Sequence, residues 1–298
     1  RRSSDLTPAL ITGSIAGRMK FSSLLIFMAA WSLLVYAPIC HWVWASDGFF
    51  FKMGALDYAG GTVVHINAGI AGLVACLMVG PRRGWGQQHL APANLALAVI
   101  GASLLWFGWM GFNGGSGLAA NERAVMAIIV TQIAAAAGAV AWMFTEWKTR
   151  GKPSLLGMIS GAVAGLVAIT PGSGFVEPAP ALFIGLLAGV VCFFMVAVVK
   201  AKLGYDDSLD AFGVHGVGGI LGAILTGFFA SSAVTGSELP AMWTQVGIQA
   251  LSVVATLVYG GVMSFVILFI IKKTMGLRVS TDDELSGLDL ASHGERIE

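Results

Sequence analysis

Val64-His65-Ile66-Asn67-Ala68-Gly69-Ile70-Ala71-Gly72 and Val214-His215-Gly216-Val217-Gly218-Gly219-Ile220-Leu221-Gly222 share one pattern. In each, a histidine that follows valine has glycine at the fourth residue after it, isoleucine at the fifth and glycine at the seventh. Each copy sits inside an apolar run, and identical spacing around a buried histidine is a poor match to chance. Four further apolar runs separate the copies, so the two cross a bilayer in opposite directions. That is the signature of an inverted repeat, an architecture that places the functional site near the membrane midplane between the halves.

Working outward, apolar runs long enough for a hydrocarbon core of about 30 Å occur at 22–44, 55–80, 92–113, 122–146, 154–171, 179–200, 209–230 and 243–271. A shorter run, 8–17, reads as part of a helix. The second repeat covers 92–230, the first reaches about 80, and the 243–271 helix stands outside both. The fold class is therefore all-α: a polytopic membrane helix bundle with an inverted five-helix repeat, incomplete in its N-terminal copy, plus a final helix. The domain division is a membrane domain over 1–271 and a polar tail over 272–298. The first copy lacks about two and a half helices of its five, and Arg1-Arg2-Ser3-Ser4-Asp5 carries neither an initiator Met nor a signal-peptide pattern. Both features suggest a chain that begins partway through a longer protein.

Composition agrees with this class: 56% of residues are hydrophobic, only 11% are charged, and 40 of 298 are glycine. Small residues let helices approach closely where water no longer drives them together. Arg18/Lys20, Arg82/Arg83, Lys148/Arg150/Lys152, Lys200/Lys202 and Lys272/Lys273/Arg278 fall in every second connection, while the others hold only Lys52 and Arg123. The positive-inside rule makes the first set, and with it the tail, cytoplasmic. Cys40, Cys76 and Cys192 lie in apolar runs without metal or redox spacing and read as small core residues. There is no basic stripe for nucleic acid.

His65 lies about ten residues into its run from the outer end and His215 about six from the inner end of its own, so at about 1.5 Å per residue both reach the central bilayer. One buried histidine reads equally as a hydrogen-bonded core residue; two at matching repeat positions favour function. Kept neutral by an apolar lining, the pair shares one hydrogen bond and leaves a donor and an acceptor for a small amine or a passing proton. A metal site is the competing reading, but it wants further carboxylate, Cys or His ligands, and few lie at that depth. Asp57 at the outer start of the 55–80 run is either an N-cap or a carboxylate that stabilises an incoming cation. At the inner start of 209–230, Asp210 reads as a cap. Trp42, Trp44, Trp106, Trp109 and Phe112 crowd the outer ends, where an interfacial belt explains most of them. Trp44 instead has a face to offer a cation, worth about 0.5–2 kcal/mol, with Ser116 adding a hydroxyl.

Longer motifs carry a resemblance that covers essentially the whole chain. They are Gly54-Ala55-Leu56-Asp57-Tyr58-Ala59-Gly60-Gly61-Thr62-Val63-Val64-His65-Ile66-Asn67-Ala68, Gly108-Trp109-Met110-Gly111-Phe112-Asn113-Gly114-Gly115-Ser116 and Gly151-Lys152-Pro153-Ser154-Leu155-Leu156-Gly157. Asp210-Ala211-Phe212-Gly213-Val214-His215-Gly216 follows, and then the tail's Gly276-Leu277-Arg278-Val279, Gly287-Leu288-Asp289 and His293-Gly294-Glu295. At these residues the sequence resembles the ammonium transporter family (Amt/Mep/Rh), on its Amt branch. The resemblance implies an eleven-helix fold with a five-plus-five inverted repeat, a homotrimer with one pore per subunit, a plasma or inner membrane location and transport without a cofactor. It implies that Trp44, Ser116 and Asp57 bind the incoming ammonium. It makes His65 and His215 a twin-histidine pair, Phe112 one ring of a phenylalanine gate, and Trp109 and Ser160 pore lining. The gate's other ring has no counterpart in this chain. A PII-type signalling protein at the cytoplasmic face is the partner implied. Gly17 departs from the glutamate usual at its place in the family. An Rh-type gas channel, an ammonium sensor and a membrane enzyme with a di-histidine metal site are the alternatives.

Overall fold

The computed structural model describes residues 6–87 and 92–295; the N-terminal residues 1–5 on which one expectation above rests lie outside them. Its main helices are α1 (Leu6–Ile15), α2 (Phe21–Lys52), α3 (Gly61–Val79), α4 (Leu95–Gly115), α5 (Glu122–Arg150), α6 (Leu155–Ile169), α7 (Pro178–Leu203), α8 (Phe212–Phe229) and α9 (Met242–Thr274). Two short tail helices follow, α10 (Thr281–Ser286) and α11 (Leu288–His293). All of the first nine except α1 and α6 are long and apolar enough to cross a membrane. Large apolar side chains such as Leu33, Phe107 and Val258 stay exposed on the outside of the bundle, as a lipid-facing surface requires.

The expectation of a full span at 154–171 is corrected, because α6 has 15 residues and stops at Ile169. Pro171 has no N–H to continue the helix, and Thr170 before it keeps helical backbone but turns its N–H to the Val167 carbonyl three residues back. The chain then runs on as buried turns, with Thr170 and Ser173 both fully enclosed. Irregular backbone at this depth is tolerated where protein surrounds it, and α6 is packed among α4, α5, α7 and α8.

Caps set the other starts. Asn94, Asn121 and Ser154 each accept a backbone N–H two or three residues into α4, α5 and α6. Glycines set the helix spacing: a Cβ on Gly165 would stand 2.1 Å from the Ala134 carbonyl oxygen of α5, and one on Gly222 would stand 2.1 Å from the Ala168 carbonyl oxygen of α6.

The two repeat copies meet in the middle. The start of α3 packs on the body of α8, and the start of α8 packs on the body of α3, as in an antiparallel pair. Their matching glycines do the same work reciprocally. A Cβ on Gly69 would be 2.4 Å from the Gly216 backbone, and one on Gly219 would be 3.1 Å from the Gly61 carbonyl and 3.2 Å from His65. Helix α9, outside the repeat, packs on α8, α3 and α2.

The basic connections gather at one end. Buried Arg18 donates to the carbonyls of Gly80, Ser14 and Asp206 and to the Ser208 hydroxyl, and Arg82 pairs with Asp206 at 2.7 Å. The tail folds back onto this end: Lys20 and Val279 exchange backbone hydrogen bonds with Leu277 and Arg18, while Arg278 pairs with Glu284 at 2.8 Å and donates to the Pro81 carbonyl. Gly17 turns the chain here at φ +80, a conformation that a glutamate would adopt only under strain.

Candidate functional site

The first turn of α3, Gly61–Ile66, and the first turn of α8, Phe212–Gly216, are π-helical, and each contains the repeat histidine. Such turns are rare and concentrate at functional sites. They bring the two rings together: His65 Nδ1 and His215 Nδ1 are 3.2 Å apart, with ring centroids at 5.2 Å and planes inclined by 20°. One nitrogen donates and the other accepts, so the pair holds one proton between them. The Trp109 indole stacks on His65 at 5.2 Å and 15°, and the Phe112 ring lies 6.4 Å from His65. His65 is fully enclosed, and its Nε2 has no hydrogen-bond partner.

His215 is 8% exposed, because it forms the end of a cavity of about 660 Å³ that opens toward the basic end of the bundle. Ser160, Val214 and Leu105 line it, together with the charged Arg82, Lys200 and Asp210. The cavity thus reaches His215, while the Trp109 and Phe112 rings lie against His65.

At the end of α3 away from the basic connections, Asp57 is buried at 6% exposure. Its Oδ1 accepts the N–H groups of Gly60 at 2.8 Å and Gly61 at 2.6 Å, and its Oδ2 those of Thr62 at 2.8 Å and Val63 at 3.1 Å. These are the donors that the start of a helix leaves without partners. Gly60, at φ +115, makes the turn that lets four amides converge on one carboxylate. Of the two readings of Asp57, capping therefore accounts for both oxygens.

Trp44 and Ser116 are not joined directly. The Trp44 indole donates to the Asp57 carbonyl at 2.7 Å, and the Ser116 hydroxyl donates to the Phe112 carbonyl at 2.8 Å. The Trp44 N–H is thus spent inside the protein, and what it can still offer is its ring face. At the inner end the reading of Asp210 as a cap is corrected. Asp207 Oδ2 accepts the Phe212 N–H at 2.7 Å and caps α8, while Asp210, at φ +60, turns its carboxylate to Lys200.

Sequence reasoning missed a buried polar set behind Trp109. The indole N–H donates to Thr170 Oγ1 at 2.8 Å, the Thr170 hydroxyl donates to the Leu166 carbonyl, and Asn113 donates to Thr131 at 2.8 Å. The signal was available, since Asn113, Thr131 and Thr170 are polar residues in apolar runs. It also missed Gln245 and Gln249 on α9, both buried.

A family model described as Ammonium Transporter Family matches residues 3–297. An ammonium transporter of Aquifex aeolicus is 54% identical over 293 residues, covering 98% of this chain and 68% of that protein. One of Bacillus subtilis is 45% identical over 295 residues, covering 98% and 72%. Among solved structures, the crystal structure of Saccharomyces cerevisiae Mep2 superposes with a TM-score of 0.88 at 36% identity, over 94% of this chain and 65% of that one. A sensor Amt protein superposes at 0.90 with 32% identity, over 97% and 74%. The chain accordingly spans from 65% to 74% of the length of these relatives.

Proposed function

The chain belongs to the ammonium transporter family, and on that premise we propose that it carries ammonium nitrogen across a membrane, with His65 and His215 as the paired groups that the permeating species passes. The observation that carries this reading is the imidazole pair itself. It is contributed by two antiparallel repeat helices, closed on one side by aromatic rings and open on the other to a vestibule.

The physical problem is that a bare cation at the bilayer centre is expensive, whereas neutral ammonia crosses an apolar passage cheaply. Ammonium docks against the Trp44 ring face by cation–π attraction, beside Ser116 and above the buried charge of Asp57. In the field of Asp57 its proton passes to a water molecule at the mouth, from which the histidine pair can relay it, and ammonia moves past Phe112 and Trp109 along His65 and His215. The unpartnered His65 Nε2 and the hydrogen bond between the rings suit both ammonia and a relayed proton. The product leaves past Ser160 through the inner vestibule.

The protein is further proposed to act as a homotrimer in a cell membrane with its C-terminal tail on the cytoplasmic side, where a PII-type signalling protein docks. The folded-back tail supports that orientation by sharing one end with the basic connections.

The test is current measurement on a solid-supported membrane with wild type, His65→Ala and His215→Ala. Altered ammonium currents or loss of potassium exclusion are expected in both variants. Wild-type currents with wild-type exclusion of potassium would remove the histidines from the route. A second reading, ammonium sensing, is favoured by the close superposition on a sensor Amt protein; ammonium binding without any flux in the same assay would select it.

A further inference from the structure

Helix α9 lies outside the repeat, yet two of its side chains reach the segment that leads into the His65 helix. Gln245 and Gln249 stand one turn apart and are 2% and 0% exposed. Gln249 Oε1 accepts the Leu56 N–H at 2.7 Å, and its Nε2 donates to the Leu56 carbonyl at 2.7 Å and to the Ala223 carbonyl at 3.1 Å. Gln245 Nε2 donates to the Gly54 carbonyl at 3.0 Å and lies 3.4 Å from Gln249 Oε1. The Gln249 amide thus pairs with Leu56 as a neighbouring β-strand would, through both backbone groups at once.

The segment it holds carries Asp57 and ends at the π-helical turn of His65. Its other fastenings lead elsewhere: the Asp57 carbonyl to Trp44 on α2, and the Tyr58 N–H to the Pro171 carbonyl after α6. Gln249 is the side chain that also grips α8, at Ala223, eight residues beyond His215. The fit is close, since a Cβ on Gly227 of α8 would stand 3.1 Å from Gln249 Cγ. An apolar side chain would fill this space without the cost of desolvating an amide, so the hydrogen bonds are what the position uses.

We propose that Gln249 is a positioning residue for permeation: through Leu56 and Ala223 it sets the register of α3 against α8, and so the placement of Asp57 and of the His65–His215 pair. This rests on the conduction reading above and gives the last helix a role in the pore that the repeat alone does not.

The test compares wild type with Gln249→Met, which keeps length without hydrogen bonding, and Gln249→Glu, which is protonated at this buried position and keeps the acceptor for Leu56 and one of the two donations. Full chains in proteoliposomes are given ammonium chloride jumps on a solid-supported membrane. Amide hydrogen exchange is followed over residues 54–63, with α5 as the internal control. In Gln249→Met the half-saturating ammonium concentration should rise about tenfold with a smaller change in maximal current. Exchange over 54–63 should quicken while α5 stays protected, and Gln249→Glu should fall between. Wild-type half-saturation and wild-type exchange over 54–63 in Gln249→Met would overturn the proposal. So would a mere fall in folded protein whose remainder behaves as wild type. If Gln249→Met fails to insert, Gln249→Glu carries the same two readings. If the wild type itself passes no ammonium current, the conduction reading falls, and exchange over 54–63 alone decides the clamp.

Discussion

Asp57→Asn separates two roles that one buried carboxylate can play. In the wild type the two oxygens accept four backbone N–H groups, two each. Asparagine has one oxygen, which can stay with Gly60 and Gly61, and it turns an NH₂ group toward the N–H groups of Thr62 and Val63. Two charge-assisted hydrogen bonds are lost and two buried donors face donors. At about 1.5–3 kcal/mol for each bond to a charged group, the loss is at most about 3–6 kcal/mol. Relaxation of the first turn reduces this toward the upper range of measured cap deletions, about 2 kcal/mol.

The direct assay is amide hydrogen exchange of residues 60–63 in detergent micelles, alongside ammonium current. A loss of about 2 kcal/mol local to the turn quickens exchange there by about thirtyfold. Current should fall too, because His65 rides on the same turn. Asp57→Glu keeps the charge but displaces it by a methylene group, so it too should expose these amides. The cap reasoning is refuted if Asp57→Asn loses its current while residues 60–63 remain as protected as in the wild type. The carboxylate would then act by its charge on the permeating species.

Two further expectations follow from packing and from charge. Gly222→Ala places a methyl 2.1 Å from the Ala168 carbonyl oxygen, so α6 and α8 must part at about 1–3 kcal/mol; Gly108→Ala, with nothing within 4 Å, should melt like the wild type in detergent, and equal melting of both variants would sink the argument. Burial pushes the Asp206 carboxyl up, but the hydrogen bonds and charge of Arg82, with Arg18 nearby, outweigh it and hold the group below the usual 3.8; its contribution to stability stands in full above 3.8 and goes only as pH falls through the lower value. Arg82→Met removes the side-chain hydrogen bond and charge and leaves only the residue-82 N–H and Arg18 to oppose burial, so the Asp206 carboxyl moves up; the variant should melt below the wild type near neutral pH, and the deficit should shrink as pH falls because its folded state takes up the proton more readily; parallel profiles would contradict this.

What could be read from the sequence was whatever depends on spacing and depth. The histidine pair needs only a repeated pattern and a position along two oppositely directed runs, and both are linear properties of the chain. The length of α6 was not legible from hydropathy, because Thr170 and Pro171 are buried turn residues that the apolar run 154–171 counts as span. Pro171 held the information, since it has no N–H to extend the helix whatever the composition around it. The sequence pointed to Asp210 as the cap of α8, and what passed that role to Asp207 was the positive φ of Asp210, a backbone state that aspartate adopts too seldom for a sequence to announce. Gln249 sits beyond the reach of such reasoning, since its partners Leu56 and Ala223 are distant in the chain and become neighbours only in the fold.

The glycines of the repeat are commonly explained as packing, and here that packing fixes the distance between the histidines. His65 and Gly69 lie on α3, His215 and Gly216 on α8, and both contacts belong to one interface. A Cβ at Gly69 would stand 2.4 Å from the Gly216 backbone, well inside contact distance, so the helices would have to withdraw. The Nδ1–Nδ1 separation is 3.2 Å, already at the long end of hydrogen-bonding range, and a retreat of about 0.5 Å leaves no hydrogen bond. The spacing of glycine four residues after histidine is therefore a condition on the chemistry as well as on the fold: it lets two backbones touch so that two side chains beside them can share a proton.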